Sequence, residues 1–373
     1  MSTPMSGPRL SACLPLLLTL LLTACASAPQ SPAAQVPRGT ETVHANVPLL
    51  APAVAYAAEA ETAPPAPPTP TELPPPPLIP DPAATPTPRP VGTAPRVGLQ
   101  VGHLHSNELP DEMAQLRTSA GAHWGNVSEA SLNLDIANRV KPLLEAQGVS
   151  VELLPATVPP GYDADAFVAL HSDGSNGGSA HGWKLATPWR ASEASKQLFG
   201  AMAGTYGGVT GMPEDVGGVT FNMKGYYAFN FRRYDYAIAR TTPAIIVEMG
   251  FMTSAVDRAM LFNQPDRVAR GLAEGIMAYL RQRDPANGAA LLPPEYPALQ
   301  AATGGATVRA APRDNARVLA RVSADARLMP FDKQNGYYQV FVHSGKLSTV
   351  GWVREDQVVN TSEQSTFPTP ASQ

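Results

Sequence analysis

Apolar and polar residues in the middle of the chain follow two alternating periods, which predict strands and helices in turn. Four short apolar runs have the length of strands, namely Val97–Val101, Val149–Leu153, Ala166–Leu170 and Ala244–Phe251. Apolar positions recur at helical spacing in three segments, namely 128–144, 191–206 and 267–280. Because strands alternate with helices, the pattern predicts a layered α/β/α domain with a mostly parallel sheet.

The pattern changes after residue 302, where only short strand-like runs follow one another. They are Ala306–Arg309, Arg317–Val322, Tyr337–Val342 and Gly351–Val353. The dipeptide Asn335-Gly336 predicts a tight hairpin turn between two of these strands. A region of this size with several short strands predicts a small all-β barrel.

The first 94 residues do not have the composition of a globular domain. Leu14–Leu22 forms the apolar core of an export signal and is too short to span a bilayer permanently. The tetrapeptide Leu22-Thr-Ala-Cys25 resembles a bacterial lipobox, and this resemblance implies cleavage before Cys25 and lipidation of that residue. The alternative is ordinary cleavage within residues 26–28. Both alternatives predict an exported protein of the cell envelope, and lipidation predicts a membrane anchor.

Most of the 40 prolines of the chain lie in two regions without apolar periodicity, 26–94 and 285–302. These two regions mark the boundaries of the predicted domains. Residues rich in Pro, Ala and Thr cannot bury a core and favour an extended chain. The predicted organisation is a signal peptide (1–25), a disordered tether (26–94), an α/β catalytic domain (95–284), a linker (285–302), a β-rich domain (303–360) and a disordered tail (361–373).

Charge and cysteine content exclude several functions. The net charge of −4 gives no basic patch for nucleic acid, so we expect no nucleic-acid partner. The two cysteines, Cys13 and Cys25, both precede the globular part, which excludes disulfides and cysteine-ligated zinc there.

Three side chains that can carry chemistry fall at the ends of predicted strands. They are His103, His171 and Glu248. In open α/β sheets ligands bind beyond the carboxyl ends of the strands, so the fold tends to bring these residues to one edge. Two imidazoles and a carboxylate can hold zinc, and a further carboxylate can act as a base. The alternatives are a salt-bridged glutamate and histidines that only pack in the core.

Four segments resemble the zinc-dependent N-acetylmuramoyl-L-alanine amidases of the amidase-3 family. These segments are Gly102-His103, Glu129 at a helix start, Phe167–Asp173 and Val247–Thr253. The resemblance implies that His103, Glu129 and His171 bind Zn²⁺ and that Glu248 is the catalytic residue. It further implies peptidoglycan as substrate, cut between N-acetylmuramic acid and L-alanine of the stem peptide.

The first of these segments departs from the family pattern. The family usually has Asp-Pro-Gly-His-Gly-Gly, whereas this chain has Leu99-Gln-Val-Gly-His-Leu-His105. The missing glycines leave His105, Glu108 and His123 as rival ligands. We favour Glu129 over Glu108 as the second ligand because a helix fixes the direction of its side chain.

Two further regions suggest binding surfaces. The segment 222–236 is rich in aromatic residues and arginines, and Arg232 and Arg233 are the predicted substrate contacts. The alternative is that this segment is a structural insertion packed on the sheet. The region 303–360 resembles bacterial SH3 domains, which often hold hydrolases on the cell wall.

Two other functions fit the same residues. One is a different zinc hydrolase on this scaffold, such as a peptidase or a carbohydrate deacetylase. The other is a non-catalytic, wall-binding lipoprotein that has lost its metal site.

Overall fold

The computed structural model describes residues 90, 92–344 and 347–364. The predicted signal peptide, Cys25 and nearly all of the predicted tether lie outside these residues, so lipidation and the membrane anchor stay predictions. Within the part of the chain that the structure describes, no helix is both long and apolar enough to cross a membrane.

The first part of the described chain is an α/β domain. In chain order its elements are β1 (Arg96–Val101), β2 (His123–Trp124), β3 (Val127–Ser128), α1 (Glu129–Glu145), β4 (Ser150–Leu154), β5 (Ala166–Asp173), β6 (Lys184–Ala186), α2 (Glu193–Thr210), α3 (Phe221–Lys224), β7 (Ala244–Phe251), α4 (Ala255–Leu261) and α5 (Pro265–Gln282).

A five-stranded sheet with the order β4-β1-β5-β7-β6 forms the centre of this domain. The apolar runs predict four of these strands, β1, β4, β5 and β7, and these four are parallel to one another. The edge strand β6 is antiparallel to β7. The sheet is therefore mixed and mostly parallel, which confirms the predicted α/β class.

The long helices α1, α2 and α5 pack on one face of this sheet. Alternate strand residues such as Leu99 and Val168 join Ile136 of α1, Met202 of α2 and Ile276 of α5 in one buried core. Burial of this many aliphatic side chains is the main stabilising contribution to the domain. The Ser128 side chain caps α1 by accepting a hydrogen bond from the Ser131 amide, and this fixes where the helix begins.

Irregular segments, rather than long helices, pack on the opposite face of the five-stranded sheet. Strand residues Phe167 and Ile246 pack there against Tyr162 and Phe229, which come from irregular segments before β5 and before β7. The short helix α3 packs on the same face. The predicted α/β/α layering therefore has long helices on one face and an irregular layer on the other, and this irregular layer contacts the candidate site described below.

The second part of the described chain is a seven-stranded antiparallel sheet with the order β10-β9-β13-β12-β11-β8-β14. Its strands are β8 (Pro297–Ala301), β9 (Ala306–Arg309), β10 (Val318–Val322), β11 (Arg327–Gln334), β12 (Tyr337–Ser344), β13 (Leu347–Arg354) and β14 (Val358–Gln364). Asn335 and Gly336 connect β11 to β12 with positive φ angles of 52° and 75°, as the predicted hairpin requires.

The boundaries of this region differ from the predicted ones. Strand β8 lies within residues 285–302, which we predicted to be a linker, and β14 continues to Gln364, beyond the predicted end at 360. The two strands pair with each other, so the sheet extends further in both directions than the apolar runs indicated. The resemblance to bacterial SH3 domains stays a prediction.

Aromatic side chains connect the antiparallel sheet to the α/β domain. The ring centroids of Trp189 and Phe331 lie 4.4 Å apart, and those of Phe221 and Phe341 lie 5.4 Å apart. Phe331 is only 2% exposed. The contact between the two parts is therefore apolar at its centre.

We expect Phe331→Ala to lower the free energy of unfolding by about 3–5 kcal/mol, because it leaves a cavity beneath Trp189. Urea unfolding followed by tryptophan fluorescence measures the change. The control Val359→Ala truncates a half-exposed side chain of β14 and should change stability by less than about 0.5 kcal/mol. Equal effects of the two substitutions would contradict the packing described here.

Candidate metal centre

His103 follows β1 directly, in a backbone conformation that side chains seldom adopt. Its φ angle is 62°, in the left-handed region, which costs on the order of 1 kcal/mol for a residue with a side chain. The preceding Gly102 is required by space, since a methyl group there would lie 2.5 Å from ring atoms of His171. The local backbone thus brings the two imidazoles close together, with ring centroids 5.0 Å apart.

Glu129 is the first residue of α1, and its side chain is 4% exposed. Its Oε2 accepts a hydrogen bond of 2.8 Å from the Ala122 amide, and its Oε1 accepts one of 3.1 Å from the Ser172 amide. Asn133, one helical turn later, donates to Oε1 at 3.3 Å, and its own carbonyl accepts from the Ser172 hydroxyl. These bonds fix the carboxylate between the loop at Ala122, strand β5 and helix α1.

His171 completes the cluster from within β5, which continues to Asp173. Its Nδ1 lies 2.9 Å from Glu129 Oε1, and Nε2 of His103 lies 3.5 Å from Glu129 Oε2. One donor atom from each of the three residues lies within 4.8 Å of the other two. Among the described residues, this is the one group of histidine, cysteine and acidic side chains close enough to share a metal ion.

The protonation states of the cluster suit cation binding. Burial opposes ionisation of Glu129, but the hydrogen bond and charge of His171, together with His103, outweigh it and lower the pKa of Glu129 to about 2. Burial lowers the pKa of His103, which favours the neutral ring. An ionised carboxylate and a neutral imidazole are the forms in which these groups bind metals.

Hydrogen bonds from the outer ring nitrogens determine which nitrogen of each histidine is free. The Nδ1 atom of His103 lies 2.9 Å from the Ser119 carbonyl oxygen. A carbonyl only accepts, so Nδ1 carries a proton and the Nε2 lone pair faces Glu129.

The corresponding bond of His171 runs through two tyrosines. The Tyr227 hydroxyl donates to the Ala156 carbonyl at 2.6 Å, and the Tyr226 hydroxyl donates to Tyr227 at 3.2 Å. Tyr226 has then used its only proton, so it accepts from His171 Nε2, which lies 3.1 Å away. Nδ1 of His171 therefore faces Glu129. Burial lowers the pKa of His171, but the hydrogen bond and charge of Glu129 outweigh it and raise that pKa, so Nδ1 carries a proton that a shared ion would replace.

Glu248 lies beside this cluster on the neighbouring strand β7. It is paired in register with His171 of β5 on one side and with Lys184 of β6 on the other. The residue is partly exposed, but its Oε2 atom is shielded from solvent and has no hydrogen-bond partner among the described residues. Burial raises the pKa of Glu248 to about 8, against the opposing charge of His171 and with added repulsion from Glu129. A cation held nearby favours its ionised form.

Lys184 continues the row of charged residues across the sheet. It is 3% exposed, and its ammonium group binds the carboxylate of Asp173 and lies 3.5 Å from that of Asp215. Its positive charge also opposes the rise in the Glu248 pKa.

The rival ligands lie outside the cluster. His105 and Glu108 are both exposed and approach each other at 3.8 Å, and His123 is exposed on β2. The left-handed turn at His103 sends the chain away after one residue, so His105 does not share its direction.

Arg232 and Arg233, which we predicted to contact the substrate, lie in different environments. Arg232 turns to the carboxylate of Glu295, whereas Arg233 is exposed and its guanidinium lies 5.0 Å from the ring centroid of Tyr234. The structure therefore brings only Arg232 into a charged cluster.

Sequence reasoning did not find Tyr226, Asn133 or Lys184. Asn133 had a usable signal, because it lies four residues after Glu129 on the same helix face. Tyr226 lies in the aromatic-rich segment 222–236, but nothing in that pattern connects it to His171. Lys184 has no local signal, because it contacts the site only through tertiary packing.

Two nitrogens and one carboxylate oxygen are the donor set that zinc prefers when one coordination position stays open for water or substrate. The buried donors, the ionised carboxylate of Glu129 and the inward directions of His103 Nε2 and His171 Nδ1 all fit such an ion. Together with the unpartnered carboxylate of Glu248, the arrangement can support metal-assisted hydrolysis.

We expect Gly102→Ala to abolish or strongly weaken zinc binding in a folded protein, because the added methyl group displaces the His171 ring. Zinc affinity is measured by competition with a chromophoric chelator. Gly200→Ala on α2 meets no atom within 4 Å and should bind zinc like the wild type. Unchanged affinity in Gly102→Ala would contradict the close approach of His171.

We expect Tyr226→Phe to lower zinc affinity by about 10–100-fold, because the His171 proton at Nε2 loses its acceptor. The same competition assay measures it. The control Tyr206→Phe also removes a buried hydroxyl, one that donates to the Met249 carbonyl, and should leave the affinity unchanged. Equal losses in both variants would show that general destabilisation, rather than orientation of His171, is responsible.

Comparison with known proteins agrees with the position of this centre. Residues 97–278, just under half of the chain, match the family model described as N-acetylmuramoyl-L-alanine amidase. Among curated proteins, none matches the chain.

Several solved structures are similar to the chain at low identity. An N-acetylmuramoyl-L-alanine amidase from Clostridium difficile 630 is 20% identical over 52% of this chain and 100% of its own, with a TM-score of 0.38. One from Mycobacterium smegmatis is 19% identical over 51% of this chain and 99% of its own, with a TM-score of 0.36. The catalytic domain of another, from Bacillus (Paenibacillus) polymyxa var. colistinus, is 19% identical over 51% of this chain and 99% of its own, with a TM-score of 0.35.

The family match begins in β1 and ends in α5, so it includes His103, Glu129, His171 and Glu248 and excludes the antiparallel sheet. Over residues 97–278 the chain is therefore similar to the N-acetylmuramoyl-L-alanine amidase family.

Proposed function

We propose that this protein is a zinc-dependent amidase that hydrolyses the bond between N-acetylmuramic acid and L-alanine in peptidoglycan. The proposal depends chiefly on Glu248, which is in register with His171 beside the buried cluster of His103, Glu129 and His171. Its Oε2 atom has no hydrogen-bond partner in the part of the chain that the structure describes. The family match over residues 97–278 supports the choice of bond.

In this proposal His103 Nε2, His171 Nδ1 and the Glu129 carboxylate hold the zinc ion. When bound, zinc supplies Lewis-acid polarisation of the scissile carbonyl and makes water a nucleophile near neutral pH. The three side chains contribute a fixed, buried set of donors, and Ser119 and Tyr226 keep both rings in the tautomers that direct a lone pair inward.

Glu248 performs the proton transfers. Its carboxylate takes a proton from the attacking water and returns it to the amine of L-alanine as the amide bond breaks. Lys184 supports this role of Glu248 without taking part in the proton transfer. It lies opposite Glu248 on the neighbouring strand, and its buried positive charge favours the ionised form of the Glu248 carboxylate. Asp173 and Asp215 hold that ammonium group in place.

The remaining sequence features support a location in the cell envelope as part of this proposal. We propose export, lipidation at Cys25 and tethering by residues 26–94, which at about 3.1 Å per residue span on the order of 200 Å when fully extended. The SH3-like region would hold the enzyme on the wall and so keep it near its substrate.

Digestion of purified cell-wall sacculi tests the proposed bond directly. Mass analysis should detect released stem peptides that begin with L-alanine, and a chelator should stop the release until zinc is restored. Peptides cut within the stem would indicate a peptidase, released acetate would indicate a deacetylase, and intact sacculi would indicate a wall-binding protein without activity.

The division of roles predicts different results for Glu248→Ala and His171→Ala. Glu248→Ala should keep its zinc and lose about 10²–10⁴-fold in kcat, because only the proton transfer is removed. His171→Ala should lose both zinc and activity. Metal analysis together with the sacculus assay measures both properties.

Glu274→Ala removes a half-exposed carboxylate from α5 and should match the wild type in zinc content and activity. Loss of zinc from Glu248→Ala would contradict its assignment as the catalytic acid and base.

A further inference from the structure

Three arginines of the α/β domain converge on one carboxylate that comes from outside it. Glu295 lies just before β8, in the segment that connects the domain to the antiparallel sheet. Its Oε2 is 3.3 Å from Arg190 Nη1, its Oε1 is 3.0 Å from Arg240 Nη2, and the Arg232 guanidinium binds the same Oε1.

The partners differ in how strongly the fold fixes them. The side chains of Arg190, Arg232 and Arg240 are 3%, 19% and 14% exposed, whereas that of Glu295 is 36% exposed. Arg190 also donates to the Pro330 carbonyl and packs over the ring of Tyr296. The arginines thus form a built site, and the carboxylate is the member that can leave it.

Two of these arginines, Arg190 and Arg232, border a cleft together with Glu295, and its walls contain polar atoms without a hydrogen-bond partner among the described residues. With Glu295 in place, the cleft leaves about 30 Å³ open to a water-sized molecule. The Trp189 Nε1, Asn230 Oδ1 and Arg232 Nε atoms are buried there and have no hydrogen-bond partner among the described residues. Trp189 is 7% exposed. Buried polar atoms of this kind are costly unless a ligand satisfies them, so the cleft has unused capacity for a polar ligand.

The cleft is adjacent to the metal centre. Tyr226 lines it and also contacts His171 through its hydroxyl group. Because Tyr226 belongs to both places, a peptide with its scissile amide at the metal centre can reach the arginines by passing Tyr226. Stem peptides of peptidoglycan carry free carboxylates, and guanidinium groups bind carboxylates with strong, directional hydrogen bonds.

We propose that Arg190, Arg232 and Arg240 form a carboxylate-binding subsite for the stem peptide, and that the Glu295 carboxylate occupies this subsite in the free enzyme. The proposal rests on the amidase function proposed above. In this proposal Glu295 competes with the substrate for the arginines. Only molecules in which Glu295 has left the subsite can bind an acidic stem peptide there, so the apparent affinity falls as the fraction of such molecules falls.

Two synthetic N-acetylmuramoyl peptides that differ only in free or amidated carboxylates test the proposal. With the zinc-loaded full chain, Arg232→Gln should raise KM for the free acid about tenfold and leave KM for the amidated peptide unchanged. Glu295→Gln should lower KM for the free acid severalfold and again leave the amidated peptide unaffected. Arg270→Gln, a half-exposed arginine of α5, is the matched control and should change neither value.

Several outcomes would overturn the subsite. Equal changes of KM for both peptides in Arg232→Gln, or a loss of activity on both in Glu295→Gln, would show that the ion pairs only hold the segment before β8 in place. Circular dichroism checks the folding of each variant. If Glu295→Gln does not fold, Arg240→Gln provides the same comparison as Arg232→Gln.

A binding measurement separates failure of the subsite from failure of the amidase function. Both peptides are titrated calorimetrically into the zinc-free wild type, where no hydrolysis occurs. Tighter binding of the free acid, lost in Arg232→Gln, supports the subsite even if neither peptide is ever hydrolysed. Equal binding of both peptides rejects the subsite even if both are hydrolysed at the predicted bond.

Discussion

The Glu129 carboxylate between His103 and His171 is the interaction on which the site depends. A buried carboxylate is costly without partners, and Glu129 obtains them from the Ala122 and Ser172 amides and from both rings. The charge of Glu129 outweighs burial and raises the pKa of His171, so the Nδ1 lone pair of that ring has a high affinity for a positive charge. In the proposed zinc enzyme, the metal ion would replace the Nδ1 proton between His171 and Glu129.

The remaining structure holds this arrangement from two sides. On one side α1 packs on the sheet and delivers Glu129 from its first residue, while β5 and β7 hold His171 and Glu248 in register. On the other side the irregular layer before β7 supplies Tyr226, which orients His171 and also borders the arginine cleft. Because one residue belongs to both places, movement of the irregular layer affects the metal centre and the cleft together.

The sequence contained enough information to predict the α/β domain and the principal residues of its site. The apolar runs before His103, His171 and Glu248 indicate buried strands, and parallel strands bring their ends to one edge. Strand β6 and its Lys184 were missed because three residues of an edge strand leave no periodicity. The extent of the antiparallel sheet was missed for a related reason, since β8 begins with a proline in a segment whose composition resembles a linker.

Contacts between residues distant in sequence could not be predicted from local patterns. Neither the donation from Tyr226 through Tyr227 to Ala156 nor the convergence of three arginines on Glu295 has a signature in spacing or composition. They depend on how an irregular layer packs on a sheet. The resemblance to a family helped at the metal centre, where motifs are local, and did not extend to the arginine cleft.

Anomalous diffraction at the zinc edge, from crystals of the zinc-loaded protein, would locate the metal ion. We expect one strong peak, bonded to His103 Nε2, His171 Nδ1 and a Glu129 oxygen at about 2.0–2.2 Å. A peak at the exposed pair of His105 and Glu108, or one bonded to His171 through Nε2, would contradict this expectation.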